Sequence, residues 1–115
     1  MTQPFQEFLA ARLPFPGLAA WSARTADRAL TSQSYAPWLP SSRAEQILTR
    51  LALAADGLQY HQLEPFRLCW VFEHMRLHLA LRHDGSCLAL IVLNARELST
   101  TPVESVLEEF VAGDW

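Results

Sequence analysis

The residues of this chain that could carry chemistry begin with four histidines and two cysteines, and their spacing does not favour a metal site. The candidate ligands are His61, His74, His78, His83, Cys69 and Cys87. His74 and His78 show the H-x₃-H interval of zinc sites, but the surrounding pattern places them on a hairpin, where this interval does not converge on one ion as it does on a helix. We expect no metal ion and interpret the histidines as structural residues at the rim of the fold.

The cysteines, serines and glycines give no sign of a catalytic centre. Cys69 and Cys87 lie in apolar, strand-like runs, and an apolar setting raises the pKa of a thiol. We therefore expect both cysteines to be buried and unreactive. Ser86 follows Gly85 but lacks the G-x-S-x-G context of a nucleophile elbow. The four glycines are isolated from one another, so the chain has no glycine-rich phosphate loop.

The charged residues exclude further classes of function. All nine basic residues are arginines, and the absence of lysine excludes Schiff-base chemistry, a Walker-type loop and a kinase-type phosphate lysine. The net charge of -3 argues against a dedicated nucleic-acid binder. We predict a protein that is not an enzyme and uses no cofactor.

Length and hydropathy bound the architecture. The chain has 115 residues, half of them apolar, and we expect a single domain over residues 1–115 with a filled core. The N-terminus lacks the basic region and apolar run of a signal peptide. The longest unbroken apolar run, Cys87 to Leu93, has seven residues, whereas a membrane-spanning helix needs ~20. We expect a cytoplasmic protein that makes no membrane contact.

Hydrophobic periodicity predicts eight elements in the order α-β-β-α-β-β-β-α. The first helix covers residues 4–13, and a hairpin covers residues 18–35. Three further strands cover residues 66–73, 76–82 and 87–93, and the last two are joined by a turn at Asp84-Gly85. Because strand 87–93 is apolar on both faces, we expect it to lie at the centre of a sheet with layers on both sides.

The second helix is predicted from a capping box, in which Ser42 and Glu45 each satisfy a backbone N–H of the first turn. Two positions for its C-terminus are open. The helix either ends at Gly57, or passes through that glycine and runs to about Gln62.

The third helix has the same signature. Thr101 and Glu104 form a second predicted capping box, with Pro102 at the first helical position. Gly113 stands where a C-terminal cap belongs.

The order of elements resembles the roadblock/LC7 family, a branch of the profilin- and longin-like α/β group. Pro16-Gly17-Leu18-Ala19-Ala20 is similar to the start of the family's first strand, and Asp84-Gly85-Ser86-Cys87-Leu88 with Ala89-Leu90-Ile91-Val92 is similar to its final, central strand. The family often has Asp-Gly in the first hairpin, whereas this chain has Asp27-Arg28, so we expect a more strained turn there. The resemblance implies an α/β (α+β) fold with one central, mainly antiparallel five-stranded sheet covered by helices on both faces.

The resemblance also implies a non-enzymatic homodimer, joined through the second helix and the strand after it, that regulates or scaffolds a Ras-like small GTPase. An aromatic strand at a sheet edge is an aggregation hazard unless it is paired, and two-fold pairing removes the hazard. The alternative is that a helix or the loop around Pro65 covers this strand within one chain. The interface candidates are Ile47, Leu48, Leu51, Phe66, Leu68, Trp70 and Phe72.

Arginine and tryptophan side chains are the candidates for binding a partner protein. They are Arg43 and Arg50 on the second helix, Arg76 and Arg82 on the fourth strand, and Trp38 in a predicted loop. Planar guanidinium groups suit acidic groups on a partner, and exposed tryptophans are frequent hot spots. Trp115 at the chain end is a similar candidate. Solvated charges and tryptophans folded over the core are the alternative interpretation.

Two other functions stay open on the sequence. One is a small, acidic, dimeric chaperone or adaptor resembling the secretion chaperones, although their second helix usually comes later in the chain. The other is a small-ligand sensor, which requires a hollow core lined by the leucines of the middle strands.

Overall fold

The computed structural model describes residues 3–59, 61–63 and 66–113, and within them the predicted order of elements is confirmed. The elements are α1 (Gln3–Arg12), β1 (Leu18–Arg24), β2 (Leu30–Ser34), α2 (Ser41–Gln59), β3 (Arg67–Val71), β4 (Met75–Leu81), β5 (Cys87–Leu93) and α3 (Thr101–Ala112). The predictions for Trp115 and for the loop around Pro65 lie outside the described residues.

The five strands form one antiparallel sheet in the order β2-β1-β5-β4-β3. The central position of β5 is confirmed, and its residues from Cys87 to Val92 are buried on both faces. The strand is flanked by β1 and β4, so β2 and β3 are the two edges. A strand made only of apolar residues is stable at such a position because both of its faces are removed from water.

Helices cover both faces of the sheet, which confirms the predicted fold class. On one face α2 packs over the alternate residues of β1, β5 and β4, including Ala20, Ile91 and Leu79. On the other face α1 and α3 pack over the residues between them, including Trp21 and Leu90. The period-2 alternation of the strands therefore separates two hydrophobic cores, one on each side of the sheet.

The β1–β2 hairpin forms with a non-glycine residue in its turn. Arg28 adopts φ 68°, a left-handed conformation that costs energy for a residue with a Cβ. Side-chain hydrogen bonds hold the turn: Thr25 Oγ1 donates to the carboxylate of Asp27 and accepts from the N–H of Ala29 at 3.2 Å. The strained turn expected at Asp27-Arg28 is therefore present, and it is compatible with the hairpin.

The boundaries of α2 correct one expectation and decide another. The helix begins at Ser41, so Ser42 already lies within the first turn, and Glu45 accepts a hydrogen bond from Ser32 Oγ at 3.0 Å. The predicted capping box is wrong because β2 supplies the partner of the glutamate. At its other end the helix continues through Gly57 and ends at Gln59.

The predicted capping box of α3 is also wrong. Thr100 is the N-cap residue and makes no side-chain cap hydrogen bond, while Ser99 Oγ accepts from the N–H of Thr101 at 3.1 Å. Glu104 forms an ion pair with Arg67 of β3 at 3.0 Å. Gly113 is the C-cap as predicted.

Among the described residues, we find no helix with both the length and the apolar character needed to cross a membrane.

Candidate functional site

The outer edge of β3 carries a group of exposed apolar side chains, which we call the β3 edge surface and define by Phe66, Val71 and Phe72. The strand is shorter than predicted, so both phenylalanines lie just outside it, one at each end. Their exposed fractions are 48% and 54%, and that of Val71 is 67%. Backbone hydrogen bonds still tie both phenylalanines to β4, from Leu81 N to Phe66 O and from Phe72 N to Met75 O, each at 2.8 Å.

Leu68 and Trp70 link this surface to α2. They stand opposite Leu79 and Leu77 of β4, so their side chains lie on the α2 face of the sheet. Both are partly buried and pack against the hydrophobic core beneath α2. One flank of each side chain thus remains at the boundary between the core and the open edge.

The α2 candidates divide into core and surface residues. Leu48 is fully buried and Leu51 is 8% exposed, because their side chains already fill the core of a single chain. Ile47 is partly buried. Leu53, which was not predicted, is 65% exposed. The exposure of Leu53 could have been predicted from the sequence, because this residue lies outside the row of apolar residues along one side of the helix.

The candidates for binding a partner on and beside α2 are accessible. Arg43 and Arg50 are exposed, and within the described residues neither guanidinium forms an ion pair. Trp38, in the loop that leads into α2, is 54% exposed.

The guanidinium group of Arg82 is already bonded within the chain, whereas the sequence suggested that it could bind a partner protein. Its Nη1 donates to the carbonyl of Phe110 at 2.7 Å and to that of Gly113, at the C-terminal end of α3. Its guanidinium also lies 5.7 Å from the centre of the Phe110 ring and forms an ion pair with Asp84 at 3.8 Å. This arginine therefore fastens α3 to the sheet. Arg76, on the same face of β4, is partly buried, and its Nε has no hydrogen-bond partner among the described residues.

The two cysteines differ, which corrects one half of the prediction. Cys87 is fully buried, and burial raises the pKa of its thiol. Cys69 is exposed. Its neighbour across the strands, His78, is 5% exposed and is therefore a core residue rather than the rim residue that was expected. A run of apolar residues in the sequence does not show which face of an edge strand is covered by a helix and which is exposed.

Two clefts among the described residues are small. One of about 200 Å³ lies between α1 and the β1–β2 hairpin, lined in part by Leu13, Trp21 and Tyr35. Another of about 240 Å³ lies beside Phe66, His83 and Val111. Both are below the ~300 Å³ at which ligand pockets usually begin, and neither is a hollow between the middle strands and α2.

The topology, the two covered faces and the open β3 edge together define a roadblock/LC7-like fold. The structure is similar to that of Myxococcus xanthus MglB, with a TM-score of 0.66 and 11% identity over 97% of this chain and 90% of that one. It is also similar to a roadblock/LC7 domain from Streptomyces avermitilis, with a TM-score of 0.60 and 13% identity over 90% of this chain and 87% of that one.

A structure of MglB with a tetrameric arrangement is similar as well, with a TM-score of 0.62 and 16% identity over 97% of this chain and 90% of that chain. Neither a protein-family model nor a curated protein matches the chain by sequence. At these identities the likeness concerns the fold.

Proposed function

We propose that this chain is a non-enzymatic, homodimeric protein-binding module that regulates or scaffolds a Ras-like small GTPase in the cytoplasm. The observation that carries the proposal is the β3 edge surface: an unpaired edge strand flanked by exposed phenylalanines, on a sheet whose two faces are already covered. Such an edge exposes backbone donors and acceptors beside apolar area, and it is used or protected in nearly every native protein.

Pairing of two β3 strands about a two-fold axis is the geometry that we propose for the dimer. It would satisfy the free backbone groups of both edges and make one sheet from the two chains. Phe66 and Phe72 would be removed from water, together with the open flanks of Leu68 and Trp70. Ile47 and Leu53 of α2 would extend the apolar contact. The tetrameric arrangement of MglB supports self-association for a chain of this fold.

The GTPase partner is inferred from the roadblock/LC7-like fold. We propose that Arg43, Arg50 and Trp38 contribute to this contact, because they are exposed and combine guanidinium forks with a large aromatic surface. Arg76 is an additional candidate. We leave Arg82 out of the proposed contact, because its guanidinium is bonded to the end of α3.

Binding of purified Ras-like GTPases from the same genome tests this proposal. Each GTPase is loaded with GDP or with a non-hydrolysable GTP analogue, and its affinity for the chain is measured by interferometry. We expect one GTPase to bind with a preference for one nucleotide state, and Arg43→Glu with Arg50→Glu to weaken that binding about tenfold or more. The exposed Arg96 lies outside α2, so Arg96→Glu is the matched control.

Two results would contradict the GTPase role. One is the absence of binding to every such GTPase, and the other is binding that ignores the bound nucleotide. Either result would leave the proposed homodimer unaffected and would favour a role as an adaptor for another protein.

A further inference from the structure

Cys69 and His78 form a thiol–imidazole pair on the face of the sheet that α3 covers. The strand register places the two residues directly opposite each other on β3 and β4. Cys69 Sγ lies 4.0 Å from His78 Nε2. The thiol is on the exposed side of this pair and the imidazole on the buried side. We call Cys69, His78, Arg67 and Arg76 the thiol site.

The imidazole of His78 is suited to accept a proton. Burial lowers its pKa below the ordinary 6.5, and the positive charge of Arg76 lowers it further. Glu104 of α3 acts in the opposite direction, and Arg67 adds a small lowering of the pKa. The ring is therefore mostly neutral at pH 7. Its Nδ1 is buried and has no hydrogen-bond partner among the described residues.

Arginine nitrogens without partners lie around the same pair. The buried Nε atoms of Arg67 and Arg76 have no hydrogen-bond partner in the described part of the chain. Arg67 uses one Nη for Glu104 at 3.0 Å, which offsets its charge. Arg76 has no ion pair with a described residue. Because Arg76 is only partly buried and its charge is not offset by a described carboxylate, its guanidinium is the group of this cluster that can pair with an anion next to the thiol.

We propose that Cys69 is a site of reversible thiol–disulfide exchange with low-molecular-weight disulfides that carry carboxylate groups. His78 serves as the proton acceptor, and Arg76 pairs with a carboxylate of the incoming disulfide. A guanidinium is well matched to a carboxylate, and a cationic setting with a nearby base is what activates a thiol. This inference goes beyond the proposed function and does not depend on it.

The exchange step balances without any further reactant. The thiol proton of Cys69 passes to His78 Nε2, and the thiolate attacks one sulfur of the disulfide. A mixed disulfide bond forms as the original S–S bond breaks, and the electron pair leaves with the second sulfur. That thiolate then receives the proton from His78. Cys69 is oxidised and the departing half of the disulfide is reduced.

The chain contains its own control for accessibility. Cys87 is fully buried, and burial raises the pKa of its thiol. It should stay unmodified in the folded protein. The Cys69 side chain lies on the face opposite Leu68 and Trp70, so it does not share the face on which these two side chains would meet a partner strand.

Two disulfide reagents of different charge test the proposal on the full chain. The dianionic reagent is 5,5′-dithiobis(2-nitrobenzoate), and the neutral one is 4,4′-dithiodipyridine. The rate is followed by the absorbance of the released thiol, and mass spectrometry identifies the modified residue. We expect one thiol per folded chain to react, Cys69→Ser to abolish this reaction, and Cys87→Ser to leave it unchanged.

Variants of His78 and Arg76, each made in a chain that also carries Cys87→Ser, separate proton acceptance by the histidine from carboxylate binding by the arginine. Near pH 7, His78→Asn should slow both reagents about tenfold, less than the ~10²-fold of a closely placed base because the sulfur–nitrogen distance is long. At alkaline pH this variant should recover, since hydroxide ionises the thiol without a base. Arg76→Gln should slow the anionic reagent about fivefold and leave the neutral one unchanged. Arg96→Gln, at an exposed position outside the thiol site and outside the proposed GTPase contact, is the matched control.

Three results would overturn the proposal. The first is a folded-state rate for Cys69 no greater than that of the urea-unfolded chain. The second is a His78→Asn variant that reacts as fast as its parent at pH 7, or that remains slow at alkaline pH while its circular dichroism is native. The third is an Arg76→Gln variant that slows both reagents equally.

Discussion

Gly17 holds a backbone conformation that other residues adopt only with strain. Its φ is +91°, and a Cβ built on it would lie 2.6 Å from Leu98 Cδ1. Gly57 is the natural comparison because it lies inside α2 and a Cβ there would meet nothing within 4 Å. The same substitution should therefore have opposite effects at the two positions.

We predict that Gly17→Ala lowers the free energy of unfolding by about 1–2 kcal/mol through left-handed strain and the contact with Leu98. Gly57→Ala should raise it by about 0.5–1 kcal/mol, because alanine is the better helix former. Urea denaturation of the two variants measures both values. A loss of stability at Gly57 equal to that at Gly17 would contradict the assigned backbone conformations.

His78 makes stability depend on pH in a defined direction. Burial and Arg76 lower its pKa below 6.5, so the unfolded chain binds a proton at a higher pH than the folded one. The free energy of unfolding should thus fall as pH is lowered from 6.5 through the folded-state pKa, and level off below it. Hydrogen bonds lower the carboxyl pKa values of Asp27 and Asp84 from 3.8, so their contributions are lost only in more acidic solution.

Comparing the parent protein with His78→Gln measures how much the titration of His78 contributes to stability, since glutamine does not titrate. We predict that the stability difference between the parent and the variant decreases as pH falls from about 7 to about 5. Urea denaturation at several pH values gives the difference directly. A difference that is constant with pH, or that grows toward acid, would contradict the assigned environment of His78, with Arg67, Arg76 and Glu104 around it.

The burial of individual side chains could be predicted only in part from the sequence. The alternation correctly assigned Cys69 and Cys87 to strands, but their exposure depends on the helices above them. Cys87 of the central strand packs in the core beneath α2, whereas Cys69 lies on the other face of the edge strand and stays exposed. Leu48 and Leu51 share a helical row with Ile47, and the row predicts an apolar face without stating whether a sheet or a second chain covers it. Burial in this molecule assigns that row to the core and leaves Leu53 outside.

At the scale of elements, periodicity predicted the order and type of every helix and strand, whereas both predicted capping boxes were wrong. The carboxylates of Glu45 and Glu104 occur at capping-box spacing, yet they bind Ser32 and Arg67. A partner from another element is invisible to a four-residue motif. The hydrophobic patterns succeeded because they reflect burial against the whole sheet, which many residues share.

Arg82 fastens the end of α3 to β4, and its removal should loosen that helix. Two of its hydrogen bonds are to backbone carbonyls at the C-terminal end of the helix. We predict that Arg82→Ala lowers the free energy of unfolding by about 1.5–3 kcal/mol, the range for hydrogen bonds from a charged group. Arg50→Ala, at an exposed position, should change it by less than about 0.5 kcal/mol.

Amide hydrogen exchange distinguishes a local from a general effect. In Arg82→Ala, protection should fall most in the last turn of α3, near Phe110. Equal destabilisation by the two alanine substitutions would contradict the role given to Arg82.

At the scale of the whole molecule, the two edges of the sheet differ in what they expose. The β2 edge carries Leu30, 45% exposed, within an otherwise polar strand. The β3 edge carries Phe66, Val71 and Phe72. This asymmetry is the physical reason for proposing the dimer at β3, and it supplies a matched pair of substitutions.

We predict that Phe72→Glu weakens self-association about tenfold or more, because a carboxylate would enter a desolvated contact. Leu30→Glu, with a similar exposed fraction on the other edge, should leave the association unchanged. Dilution series followed by light scattering compare the two variants. If the Leu30 variant dissociates and the Phe72 variant does not, the interface lies at β2.

Sedimentation equilibrium of the purified chain at micromolar concentration measures directly whether it is a homodimer. We predict a particle with twice the 13.0 kDa mass of one chain, which dissociates on dilution without unfolding. A single species of 13.0 kDa at every concentration would contradict the homodimer and with it the function proposed for the β3 edge surface.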